Sequence, residues 1–224
     1  MPTIKQILIE ARTTLNGPDA RLEAEVLMEA ICAISRSRQF SHADDQLAAD
    51  QVEKYRCALQ RRITGEPLAH ITALRSFWDM DLQVTPDVLI PRPDTEILVE
   101  QALERIPRDA SWQIADLGTG SGAIAIAVAR ERSQCDLTAT DNSPAALAIA
   151  KQNAIALGVN NINFIAGSWG QSLENRFFDM ILSNPPYIRD DDPHLAEGDL
   201  PAEPEQALVS GSDGLDAIRQ IITD

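Results

Sequence analysis

The sequence is poor in cysteine and in positive charge, and it has no long apolar run. Its three cysteines, Cys32, Cys57 and Cys135, stand far apart with no CxxC pair. That spacing excludes a structural zinc site and fits a reducing compartment. Nineteen Lys and Arg face 34 Asp and Glu, for a formal net charge of −15. An enzyme that grips a long stretch of nucleic-acid backbone needs clustered cations, so the charge argues against that class, whereas a basic partner would be attracted. The opening "MPTIKQILIEAR" lacks the apolar core of a signal peptide, and the longest apolar run, "AIAIAVA" at 123–129, is far too short to span a bilayer. The sequence therefore predicts a cytoplasmic protein with no membrane contact, no direct nucleic-acid partner and no metal.

What is present is enough for a substantial core: 224 residues, of which 44% are apolar. The apolar positions Ile4, Ile7, Leu8, Ala11 and Leu15 follow helical spacing, and "NGP" at 16–18 ends that helix and opens a second one near Asp19. The inward face of the second helix is expected to be Leu22, Val26, Leu27, Ala30 and Ile31. Val52, Tyr55, Leu59 and Ile63 mark a third, ending at Thr64-Gly65. Residues 1–70 thus read as a helical domain. Alternation in "ITALRSFWDMDLQVT" predicts a β-hairpin linker over 71–87, and a larger domain follows over 88–224.

From residue 112 the rhythm is strand, helix, strand, helix: "WQIAD", an apolar helix, "CDLTATD", "SPAALAIAKQNAIALG", "NINFIAG" and "FDMILS". This alternation predicts an α/β fold with a parallel, Rossmann-like sheet. The first turn, "DLGTGSGAIAIA", carries Asp116, Gly118, Thr119, Gly120, Ser121 and Gly122. Glycines there let the chain turn sharply and bring backbone close to a ligand at a helix N-terminus. Gly118, Gly120 and Ala123 also satisfy a dinucleotide fingerprint, and Asp141 would hold ribose hydroxyls in either case. The stretch "SNPPY" separates the two. Pro185 and Pro186 cannot continue a strand, so residues 178–182, expected to be buried, end abruptly at Asn184, whose carboxamide is held at the carboxyl edge of the sheet. An oxidoreductase has no use for a rigid Asn-Pro-Pro-Tyr at that place, whereas an amino-methyltransferase has.

Taken in order, "VLIPRPDTE" (88–96), "DLGTGSG", "TATD" and "SNPPY", behind a helical module, resemble the release factor glutamine methyltransferase family over nearly the whole chain. The resemblance implies a methyltransferase that uses S-adenosylmethionine and acts on the glutamine of the Gly-Gly-Gln motif in bacterial peptide chain release factors, its protein partner. It places the Gly118–Gly122 backbone against the methionine part of the cofactor, Asp141 on the ribose and Trp169 beside the adenine, with Asn184 at the junction of cofactor and substrate. Ser168 stands where the family commonly has an acid, and Pro201-Ala202 stand where it commonly has Arg-Phe before Glu203-Pro204. Pro91, Arg92 and Pro93 border the substrate pocket in the family, while Asp94 is expected to cap the following helix. His70 is given no chemistry.

The chemistry explains the motif. An amide nitrogen is a weak nucleophile because its lone pair is delocalised, so a site must orient it. The Asn184 side-chain oxygen and the Pro185 carbonyl can accept its two hydrogens and aim the nitrogen. Tyr187 would stack on the flat amide and Pro186 would stiffen the platform. Two other readings remain open at this point: N6-adenine methylation, which uses the same motif on an exocyclic amine, and a non-catalytic adaptor that holds a release factor. The oligomeric state is not legible. Four strands are counted from Trp112, with Asp179–Ser183 beside the first, which leaves that strand as an edge. The expectation is therefore a fragment of a longer chain, or an edge covered by another molecule.

Overall fold

The computed structural model describes residues 1–173 and 176–224. They form two compact units, Met1–Ala73 and Leu74–Asp224.

The first unit is helical: α1 (Ile4–Leu15), α2 (Ala20–Cys32), α3 (Arg36–Ser41), α4 (Ala49–Ile63) and α5 (Leu68–Thr72). Thr3 opens α1 with a capping box, its hydroxyl accepting from the Gln6 amide while the Gln6 side chain accepts from the Thr3 amide. Ile4, Ile7, Leu8 and Ala11 are buried on it as their spacing predicts. The face of α2 differs from expectation. Leu22 is 46% exposed and Ala30 is also exposed, while the buried stripe runs through Ala20, Ala24, Leu27, Met28 and Cys32. Size explains the rotation. Small residues at 20 and 24 let neighbours come close, and the fully buried Tyr55 of α4 donates its hydroxyl to the Ala24 carbonyl at 3.0 Å. On α4, Ile63 is 41% exposed rather than inward.

The second unit begins with a hairpin, β1 (Leu74–Phe77) and β2 (Met80–Gln83), paired antiparallel with Phe77 opposite Met80. Then follow α6 (Thr95–Arg105), β3 (Gln113–Leu117), α7 (Ala123–Glu131), β4 (Asp136–Asp141), α8 (Pro144–Ala156), β5 (Ile162–Ala166), β6 (Met180–Ser183) and α9 (Asp216–Thr223). The four later strands make a parallel sheet in the order β5-β4-β3-β6. Helix α7 is buried from Ala123 to Ala129 on all sides, which its unbroken apolar run requires. Its side chains share one core with Ile114, Leu137, Ala139 and Leu182 of the sheet and with Phe77, Met80 and Leu82 of the hairpin. The hairpin therefore belongs to the core of this unit.

Two sequence expectations are corrected here. Strand β6 is not buried on both faces: Leu182 is buried but Ile181 is 57% exposed, because among the described residues β6 has one neighbour, β3. Asp94 precedes α6 but its side chain makes no capping bond, since its backbone is already helical (φ −61°, ψ −24°), a geometry that turns the carboxylate away from the first-turn amides. Beyond β6, short 3-10 turns lead to a parallel bridge between Ile188 and Val209 that returns the chain to the sheet's carboxyl edge.

Candidate functional site

The site is built where β3, β4 and β6 end. After β3 the chain turns through three glycines with positive φ, Gly118 (73°), Gly120 (56°) and Gly122 (84°), and enters α7. The amides of Gly118 and Thr119 both donate to the Thr140 carbonyl at 2.9 Å, which pins the turn to the end of β4. Asp141 finishes the clamp. One of its carboxylate oxygens accepts from the Gly120 amide and the other from the Ser143 amide, each at 2.9 Å. Behind the turn, Asp116 is wholly buried, with one oxygen accepting from the Thr119 hydroxyl at 2.6 Å and the other without a partner. Burial pushes its carboxyl up, to about 6; the Thr119 hydroxyl and the backbone amide of Ala125 work against the rise, and the Asp141 charge adds to it.

Trp169 follows β5 at the positive φ of 45°, and Thr140 donates its hydroxyl to the Trp169 carbonyl at 3.2 Å. The indole lies over Gly118 so closely that a Cβ there would stand 2.8 Å from the ring. Glycine at 118 is thus needed twice, for its backbone angle and for the ring above it.

At the end of β6, Ser183 donates its hydroxyl to the Leu117 carbonyl at 2.7 Å, and Asn184 Nδ2 donates to the Thr95 hydroxyl at 3.2 Å. Two clefts meet here. The first, of about 910 Å³ with its open mouth, is lined by Gly118–Ser121, Ala123, Ile124, Asp141–Ser143 and Gly167–Trp169, with Asn184 and Pro186 at one end. The second, of about 750 Å³ with its open mouth, is lined by Pro185, Pro186, Tyr187, Leu98, Leu200 and Leu208. Leu89, Arg92, Thr95, Asn184, Pro186 and Ala207 belong to both walls. The sequence-predicted residues thus separate cleanly: the glycine turn, Asp141 and Trp169 line the first cleft alone, Pro185 and Tyr187 the second alone. Gly122 lies beside the first cleft at the start of α7 rather than in its wall. Tyr187 is 65% exposed, at the outer rim of the second cleft.

Three contributors were not singled out in the sequence. Thr95, read only as part of a helix start, meets Asn184. Asn153 is buried in α8 and holds the turn from behind, donating to the Ser121 and Gln83 carbonyls at 2.9 and 3.0 Å and accepting from the Gln83 amide at 2.7 Å. An amide on the apolar face of a helix was the available signal. Glu203, with its side chain wholly enclosed, accepts from Arg92 at 2.5 Å and ties the late loop to the segment before α6. Burial raises its carboxyl while the Arg92 guanidinium opposes that.

The first cleft fits S-adenosylmethionine. Ala123 and Ile124, in the first turn of α7, line it where a helix has amides without intrahelical acceptors, a natural place for a carboxylate. Each Asp141 oxygen keeps a second lone pair for a hydroxyl. Among the described residues no group of three His, Cys, Asp or Glu is placed to hold a metal, and no helix is long and apolar enough to cross a membrane.

A parallel sheet with a glycine turn after its first strand, an acid closing the second and Asn-Pro-Pro-Tyr after the fourth defines a methyltransferase that uses S-adenosylmethionine as methyl donor. The Methyltransferase small domain family matches residues 93–211, and the PrmC N-terminal domain family matches residues 6–72. The chain is 47% identical over 214 residues to the release factor glutamine methyltransferase of Coxiella burnetii, covering 96% of this chain and 76% of that protein. It is 49% identical over 199 residues to the one of Xylella fastidiosa strain 9a5c (89% and 72%), and 44% identical over 216 residues to the one of Escherichia coli K12 (96% and 78%). The chain belongs to the release factor glutamine methyltransferase family.

Proposed function

We propose that the protein transfers the methyl group of S-adenosylmethionine to the side-chain amide nitrogen, N5, of the glutamine in the Gly-Gly-Gln motif of bacterial peptide chain release factors. The observation that carries this reading is the partition between the clefts. Asn184 and Pro186 stand in both walls, with the glycine turn on one side and Pro185 and Tyr187 on the other. When bound, the cofactor supplies an electrophilic methyl group. The turn from Gly118 to Ser121 and the start of α7 bind its methionine part, Asp141 accepts from the ribose hydroxyls, and Trp169 with Ser168 flanks the adenine.

On the other side of the partition, the Asn184 Oδ1 and the Pro185 carbonyl hold the two amide hydrogens of the glutamine and point its nitrogen at the first cleft. Orientation supplies most of the effect, since the pair adds no charge to the nitrogen. Tyr187 at the rim covers the amide and excludes water once the substrate is seated.

The charge distribution supports a basic protein partner. Residues 1–73 carry 9 basic and 10 acidic side chains, whereas residues 74–224 carry 10 and 24. Asp190, Asp191, Glu197 and Glu205 are exposed on the loop that also supplies Leu200 to the second cleft. Release factors work against ribosomal RNA and need basic surfaces there, which such a loop attracts over a distance of about 10 Å at moderate salt.

The test is methyl transfer from labelled S-adenosylmethionine to purified release factor and, separately, to DNA, for the wild type and for Asn184→Ala. Label in the release factor glutamine is expected, with a loss of about 10²-fold or more in kcat for the variant and a retained cofactor affinity. Label in DNA alone, or near-normal turnover by Asn184→Ala, would overturn the reading.

A further inference from the structure

We propose that Thr95 is a positioning residue for the reaction: by accepting from Asn184 Nδ2, its hydroxyl anchors the Asn184 carboxamide and limits its rotation beside the second cleft. The inference rests on the reading of Asn184 given above and goes one step beyond it.

A carboxamide has an acceptor end and a donor end, and rotation about its last bond exchanges them. For a glutamine side chain the difference is decisive. The incoming amide nitrogen carries two hydrogens and must meet acceptors, so Asn184 is useful with Oδ1 forward and obstructive with Nδ2 forward. Asn184 Nδ2 donates to Thr95 Oγ1 at 3.2 Å, which engages the donor end and leaves Oδ1 for the substrate.

Thr95 can do this because it cannot drift. It begins α6, and its own amide donates to the Arg92 carbonyl at 3.0 Å. Pro91 and Pro93 stiffen the approach, and the Pro91 carbonyl accepts from Arg75 Nε at 3.1 Å. One residue further on, Glu96 accepts from the Trp78 amide at 2.8 Å and fixes the start of the helix to the hairpin turn. Asn184 is held on its own side by the register of β6 against β3 and by Pro185. The bond therefore joins two rigid elements, and both residues border both clefts. Branching at Cβ also limits the rotamers of Thr95, which keeps the hydroxyl in place.

The test compares Thr95→Val, which keeps the shape and removes the acceptor, with Thr95→Ser, which keeps the acceptor. Each is made alone and in the Asn184→Ala background. With release factor as substrate, Thr95→Val should lower kcat about tenfold, the scale of one lost neutral hydrogen bond. The cofactor Kd and the unfolding midpoint should stay where they are, and Thr95→Ser should retain kcat to within about twofold. If Thr95 acts through Asn184, adding Thr95→Val to Asn184→Ala changes kcat no further. Wild-type kcat in Thr95→Val, or a further tenfold loss in the double variant, would overturn the proposal while leaving the role of Asn184 intact. Normal turnover by Asn184→Ala would instead remove the reading on which it rests.

Discussion

Replacing Asp116 by asparagine should change the stability of the protein in a way that depends on pH, and the sign follows from its surroundings. The carboxyl lies in β3 with no exposed surface, one oxygen bonded to Thr119 and the other unpartnered. Burial raises its pKa from 3.8 to about 6. A group that binds its proton more tightly when folded favours the folded state at low pH; that advantage is lost as pH rises from the unfolded pKa to the folded one. Between about pH 4 and pH 6 the wild type should therefore lose stability through this group, to a total of about 3 kcal/mol at neutral pH, using 1.36 kcal/mol per pH unit. That is a large share of the 5–15 kcal/mol typical of a folded domain. The carboxamide of the Asp116→Asn variant has no proton to lose. Its NH2 group, placed where the unpartnered oxygen was, adds a pH-independent cost of about 1–3 kcal/mol. The diagnostic quantity is thus the slope of the difference between variant and wild type, in which all other titrating groups cancel. Denaturant unfolding at several pH values from 4 to 8 measures it. The variant should gain on the wild type by up to about 3 kcal/mol across the range, nearly all of it below pH 6.5. A difference that is flat with pH would show that Asp116 is not protonated with the raised affinity its burial implies.

Gly118→Ala should weaken S-adenosylmethionine by at least about tenfold in a calorimetric titration, because the new methyl meets the Trp169 ring at 2.8 Å and the backbone sits at φ 73°; unchanged affinity would detach Trp169 from the cofactor site. Asn153→Ala removes three hydrogen bonds between α8, the glycine turn and β2. A loss of about 2–4 kcal/mol in denaturant unfolding is expected, and a loss below about 0.5 kcal/mol would show that water replaces the side chain without cost.

The sheet was legible because each of its elements declares itself locally. Residues 112–183 switch regularly between short apolar runs and helical ones, and that rhythm constrains topology as well as secondary structure. Elements that are short, or whose faces are set by neighbours, were less legible. Helices α3 and α5 have 6 and 5 residues, too few to establish a period. On α2 the larger side chains pointed to the wrong face, because what decides the face is the room Tyr55 needs opposite Ala24. The site divides in the same way. Motifs contiguous in sequence, the glycine turn and Asn-Pro-Pro-Tyr, could be read directly. The bonds from Thr95 to Asn184, Gln83 to Asn153 and Arg92 to Glu203 span 89, 70 and 111 residues. A sequence shows the residue type at each end of such a bond, and nothing in it states that the two ends meet.

Asp141 shows why a structural and a functional role need not compete for one side chain. Read from sequence, it is an acid at the end of a strand, suited to hydroxyl groups. In the structure both oxygens are already engaged, by Gly120 on the turn and by Ser143 at the start of α8. These amides hold the carboxylate in one orientation, leaving the outward lone pairs along the wall of the first cleft. A free carboxylate would lose rotational freedom on meeting a ribose, and this one has lost it on folding. The same two bonds fix the glycine turn, which we propose to meet the methionine part of the cofactor. On the function proposed above, the carboxylate that would meet the ribose is therefore also the strut that sets its distance from the glycine backbone, so neither contact can be adjusted without moving the other.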